Sequence, residues 1–153
     1  MNHTLERIAK EVELASPSNK RLRLQFGYVC VQRVHHLLEE PAVIRCVEAL
    51  GQHLYGTVDE ATFACSVAEA ACLATEHQGS RSIDGCGHAA VSASYAAANA
   101  LAGRALQAAE YAAYAAVYGQ GGYGAVAEMQ SFEPEFLWQA NCLASLARQS
   151  TAA

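Results

Sequence analysis

Half of the residues between Ala89 and Tyr118 are alanine, the best intrinsic helix former, and no proline interrupts them. The run opens at Cys86 (CGHAAVSASYAAANALAGRALQAAEYAAYAAVY), with Gly103 as its one weak point. It reads as two helices, about 86–101 and 104–118, joined at or near that glycine. Helices faced with alanine approach one another closely, which puts this pair at the packed centre of the fold. The polar residues left inside it carry the functional question. His88, Ser92, Tyr95 and Asn99 are spaced four, three and four apart, along one helix face. Gln107, Glu110 and Tyr114 do the same on the second helix. These stripes either face water or face each other as a hydrogen-bonded seam or pocket.

A chain of 153 residues is long enough to bury a real core, and one helical domain over 1–153 is the expectation. With 52% hydrophobic and 16% charged residues, the composition is that of an ordered chain. A formal charge of −5 argues against a general nucleic-acid binder, which normally presents a basic surface. Lys20, Arg21 and Arg23 read as a solvated face. The start, MNHTLERIAKEVELAS, is charged and amphipathic, unlike a signal peptide, and no run of about 18 apolar residues exists. The expectation is a cytoplasmic protein with no membrane partner, and with the Asn2-His3-Thr4 sequon a chance match. Six cysteines sit in apolar helical contexts without a CxxC pair. They read as buried free thiols, with Cys65 and Cys72 seven apart as two small core residues.

The pattern predicts helices over 3–15, 20–39, 41 to about 54, 58–77, the alanine pair, and 134–148. Pro17 ends the first, Pro41 opens the third, and Gly56 closes it. Thr57 with Glu60 has the spacing of a capping box for the fourth. The segment His77–Gly87 reads as a loop. No sustained period-two alternation appears between turn signals, so the fold class is all-α, an array or irregular bundle of about seven helices.

Gly119-Gln-Gly-Gly-Tyr-Gly124 matches GxGxxG literally, but dinucleotide binding needs a strand before it and a helix after it. A flexible connection or helix cap is the better account. His35 and His36 with Glu39 and Glu40 read as surface pairs at i, i+4. A more interesting set is Glu69, Glu76, His77, His88 and Glu110. A carboxylate among the alanines of a buried helix is expensive unless it is paired. A His88–Glu110 contact, with Tyr95 and Tyr114 beside it, would satisfy both helices. The ligand- or partner-pocket candidates are therefore Glu69, His88, Tyr95, Asn99, Glu110 and Tyr114, with no catalytic, metal or cofactor assignment. Tyr111, Tyr114, Tyr118 and Tyr123 form an aromatic cluster of the kind used in cores and at interfaces.

With these residues laid out, the chain resembles the Imm5-like immunity proteins of bacterial toxin–immunity systems. The likeness rests on Gly87-His88-Ala89-Ala90 leading to Ala-Ala-Glu-Tyr-Ala-Ala-Tyr-Ala at 108–115. It also rests on a last helix with Glu135 before Trp138-Gln139, and on an N-terminal half with Cys30, an acidic stretch before Pro41, and Leu50–Gly56. Ser94 and Tyr111 stand where that family would lead one to expect histidines. The resemblance implies an all-α, non-enzymatic protein that binds a cognate protein toxin and occludes it. The alternative is a helical protein that binds a small molecule or metal, or an enzyme, through His88, Tyr95, Asn99 and Glu110. A homo-oligomeric subunit is a third.

Overall fold

Two alanine-faced helices, Cys86–Leu101 and Ala105–Ala127, form the centre of the structure, a computed structural model that describes residues 1–77 and 86–152. Among the described residues there are seven α-helices and no strand, in agreement with an all-α fold. In chain order they are α1 (His3–Glu11), α2 (Lys20–Arg33), α3 (Pro41–Leu54), α4 (Glu60–Glu76), α5 (Cys86–Leu101), α6 (Ala105–Ala127) and α7 (Glu133–Ala152). Short 3₁₀ turns at Pro17–Asn19, His35–Leu37 and Met129–Phe132 connect them. The loop expected over 77–87 lies almost wholly outside the described residues, as does the side chain of Cys86.

Alanine burial explains the centre. Ala93, Ala96, Ala97 and Ala100 of α5 and Ala108, Ala109 and Ala115 of α6 are fully enclosed, so the two backbones lie close together. Helix α2 packs across both, α3 and α4 flank α5, and α1 pairs with α7. Larger side chains fill what remains: Phe26 and Val31 from α2, Val43, Val47 and Leu50 from α3, Leu101, and Leu143 from α7. A smaller apolar cluster of Ala113, Val117 and Phe132 closes the far end of α6.

The helix ends show which local rules won. Helices α3 and α5 close in the same way, with Gly56 (φ 79°) and Gly103 (φ 76°) in the left-handed region. In each, the next residue's N–H reaches back five positions: Thr57 to Gln52 O at 3.0 Å, and Arg104 to Asn99 O at 2.9 Å. Helix α1 ends in the identical motif, Leu14 N–H to Ala9 O at 2.9 Å, but with Glu13 at φ 54° in the glycine position. That turn stops α1 at Glu11 rather than near residue 15. Helix α2 likewise ends early, at Arg33, so His35 and His36 lie in a 3₁₀ turn and not on a helix with Glu39 and Glu40.

Four further expectations are corrected. The α4 cap is Asp59, whose carboxylate accepts from Thr62 N–H at 2.7 Å, whereas the Thr57 hydroxyl donates to Gln52 O. Arg21 and Arg23 are not idle surface charges. Arg21 donates to Leu54 O at the end of α3, and Arg23 clamps Leu14 O and Ser16 O between α1 and α2. The GQGGYG segment is helical: α6 continues through it to Ala127, with a kink at Gly122. There φ is 62° and ψ −148°, a backbone that only glycine adopts readily. Finally, Cys65 and Cys72 are exposed. Helix α4 buries Phe63, Ala70 and Ala74, and residues two positions beyond Phe63 and Ala70 point roughly the opposite way.

Candidate functional site

Helices α5 and α6 form an antiparallel hairpin, so residues equally far from Gly103 in sequence face one another. His88 stacks on Tyr118 at 5.4 Å between ring centres, and Tyr95 stacks on Tyr111 at 5.2 Å. Beyond the kink at Gly122, Tyr123 meets His88 edge-on at 5.2 Å and Tyr118 at 6.0 Å. Tyr114 continues the row, tilted against Tyr118 at 6.4 Å and edge-on to Phe132 at 5.1 Å. The polar stripes of the two helices do not meet as one seam: His88 and Tyr95 stack on rings of α6, Asn99 is buried, and Gln107, Glu110 and Tyr114 are exposed. The rings form two groups, Tyr95 with Tyr111 and His88 with Tyr118, Tyr123 and Tyr114, in which Tyr111, Tyr114 and Tyr123 remain 37%, 38% and 51% exposed.

The predicted site residues divide among four places. His88 belongs to the aromatic row and is not paired with Glu110: the ion pairs among the described residues are His3–Glu6, Arg7–Glu11 and Arg33–Glu135. Tyr95 stacks apart from it, on Tyr111. Asn99 is structural. Its amide donates to Tyr95 O at 2.8 Å and its oxygen accepts from Arg104 Nε at 2.9 Å, fixing the α5–α6 corner. Glu69 is exposed on α4, its carboxylate beside the Cys46 thiol of α3. Burial first, and that carboxylate second, push this thiol from 9.0 up to about 11. No three His, Cys, Asp or Glu side chains converge as metal ligands would, among the described residues.

Glu110 and Tyr114 do come together. They sit on the wall of a half-enclosed cleft of about 290 Å³ between α6, the N-terminal turn of α1, the Met129–Phe132 turn and the start of α7. Its aromatic side is Tyr114, Phe132 and Phe136, the last two 5.6 Å apart. Glu110 makes no hydrogen bond or ion pair with the described residues and is open to solvent. Beneath it lies Gln139, only 2% exposed. The Gln139 amide donates to Ala109 O at 2.7 Å, and its oxygen accepts a longer bond, 3.3 Å, from Asn2 Nδ2.

Gln139, Asn2 and the Phe132–Phe136 pair have no place among the site residues expected from the sequence. Gln139 stands between apolar positions of a helix, a placement that marks a buried polar group, but its partner Asn2 is 137 residues away. Antiparallel numbering about Gly103 would have paired His88 with Tyr118 in advance, because the turn position alone fixes it.

No protein-family model, curated protein or solved structure matches this chain. The functional reading therefore rests on the geometry and on the chemistry of the exposed rings and carboxylates.

Proposed function

We propose that this chain is a cytoplasmic bacterial immunity-type protein that binds a cognate protein toxin and neutralises it by occlusion, without turnover. The observation that supports this is the set of open rings on α5 and α6: Tyr111 against Tyr95, and Tyr114 and Tyr123 against Tyr118, are held by ring contacts yet remain exposed. Tyrosines fixed in this way offer large contact area with little further loss of side-chain freedom, and such residues are enriched at the cores of protein interfaces. A chain of net charge −5 attracts a basic partner and speeds its encounter. The toxin-binding reading is the one that the resemblance to Imm5-like proteins implies.

The test is native mass spectrometry of the protein isolated gently from its host, followed by expression of any co-isolated protein alone. The reading expects a heteromer lost on combined Tyr111→Ala, Tyr114→Ala and Tyr123→Ala substitution, and a partner whose growth inhibition this chain relieves. A partner that is harmless when expressed alone would remove the immunity role. A heteromer unaffected by the triple substitution would remove the aromatic face.

A further inference from the structure

The cleft beside Glu110 carries a second inference, independent of any protein partner. Its walls combine three features. The aromatic side, Tyr114, Phe132 and Phe136, presents rings already fixed against one another, so a ligand need not order them. The charged side chains of the wall, Glu6 and Glu110, are both carboxylates; no Lys, Arg or His side chain lines it, and Met1 with its terminal amino group is the other charged residue there. Glu6 is shared with His3 at 3.5 Å, while Glu110 has no partner among the described residues. The polar floor adds acceptor capacity: the buried oxygen of Gln139 takes one long hydrogen bond and keeps a second lone pair.

An anionic ligand would meet two like charges here, and a neutral apolar one would leave Glu110 half-covered and unpaired, at a desolvation cost. A cation satisfies both sides. Ring faces attract positive charge, and a carboxylate hydrogen-bonds an ammonium N–H more strongly than a neutral donor. The volume of about 290 Å³ is near the lower end of the ~300–1,000 Å³ typical of ligand sites. That limits the occupant to a compact molecule.

The geometry points to a binding site for a small protonated organic amine, its apolar body against Phe132, Phe136 and Tyr114 and its ammonium at Glu110.

Chemical-shift titration of the full ¹⁵N-labelled chain tests this with three probes of one shape: phenethylammonium chloride, 2-phenylethanol and phenylacetate. Phenethylammonium should perturb the resonances of Phe132, Phe136 and the Gln139 side-chain amide. It should bind at least about tenfold more tightly than 2-phenylethanol, with phenylacetate not binding, and weaken as salt is raised. Glu110→Gln should lose about tenfold for the ammonium probe and leave the alcohol unchanged. Because Glu110 is exposed and unpartnered, this variant keeps its fold. Tyr111→Ala, outside the cleft, should leave all three titrations as they were. The proposal is overturned if the alcohol binds as well as the ammonium, if phenylacetate binds, if Glu110→Gln changes nothing, or if no shifts arise in the cleft.

Discussion

Arg33 at the end of α2 and Glu135 in the first turn of α7 form a two-pronged ion pair, with Nε at 2.7 Å and the second contact at 3.3 Å. Glu135 is nearly enclosed, while the Arg33 guanidinium lies 4.4 Å over the Trp138 ring with more than a third of its side chain in solvent. The pair ties the last helix to the core, and its two members carry unequal costs. Arg33→Met should destabilise by about 2 kcal/mol, less than for a fully buried pair because the arginine is partly screened. Combining it with Glu135→Leu should recover most of that loss, since the damage lies in the stranded carboxylate. Urea unfolding of the two variants decides it. Equal losses in both would mean that the ion pair itself, and not the buried charge, matters.

Thiol reactivity should follow burial, not sequence context. In the native protein Cys65 and Cys72 should react with iodoacetamide at once, Cys142 more slowly, and Cys30 and Cys46 only on unfolding. Burial pushes the Cys30 thiol well up, and burial with Glu69 pushes Cys46 up to about 11. A group whose pKa is raised in the fold contributes stability below its ordinary value and loses it above. Stability should therefore fall as pH rises from 9.0 towards 11, and Cys46→Ala should flatten that limb. Peptide mapping after timed alkylation, with melting curves across that range, checks both.

Asp59 governs the opposite limb. Hydrogen bonds from the Thr62 side chain and backbone N–H hold its carboxyl below the ordinary 3.8. A lowered pKa gives stability that is present above that value and lost as pH falls through the folded one. Asp59→Asn should keep the α4 cap and lose part of the acid dependence, while Asp59→Ala should lose both. Melting temperatures at neutral pH and near pH 3 separate the two.

Among the described residues, Glu13 holds locally strained backbone. It holds φ 54° in a turn that α3 and α5 close with glycine. Glu13→Gly should stabilise the protein by roughly 0.5–1 kcal/mol, the cost of left-handed backbone for a side-chain-bearing residue less the extra freedom of glycine when unfolded. A lower urea midpoint for this variant would mean that Glu13 earns its position through a contact of its side chain.

The sequence by itself determined what depends on neighbours along the chain. Alanine density and the absence of alternation settled an all-α fold; Pro41, Gly56 and Gly103 marked where α3 starts and where α3 and α5 stop. These signals are local, because a helix start, a left-handed turn and an apolar stripe each involve a handful of consecutive residues. Even locally, competition between adjacent signals misled: Asp59 displaced Thr57 as the α4 cap, and GQGGYG stayed helical around one kinked glycine because the smaller cluster of Ala113, Val117 and Phe132 holds its far end down. Tertiary structure alone decided which helix faces meet. Cys65 and Cys72 share a face, but only the packing of Phe63 and Ala70 turned that face outward. Glu110 sits in an alanine run as a buried residue would, yet α1 and α7 stop short of covering it and leave a cleft instead. Contacts such as Asn2–Gln139 and Arg33–Glu135 join segments more than 100 residues apart. No periodicity in the chain encodes them, because they arise only once the helices have chosen their neighbours.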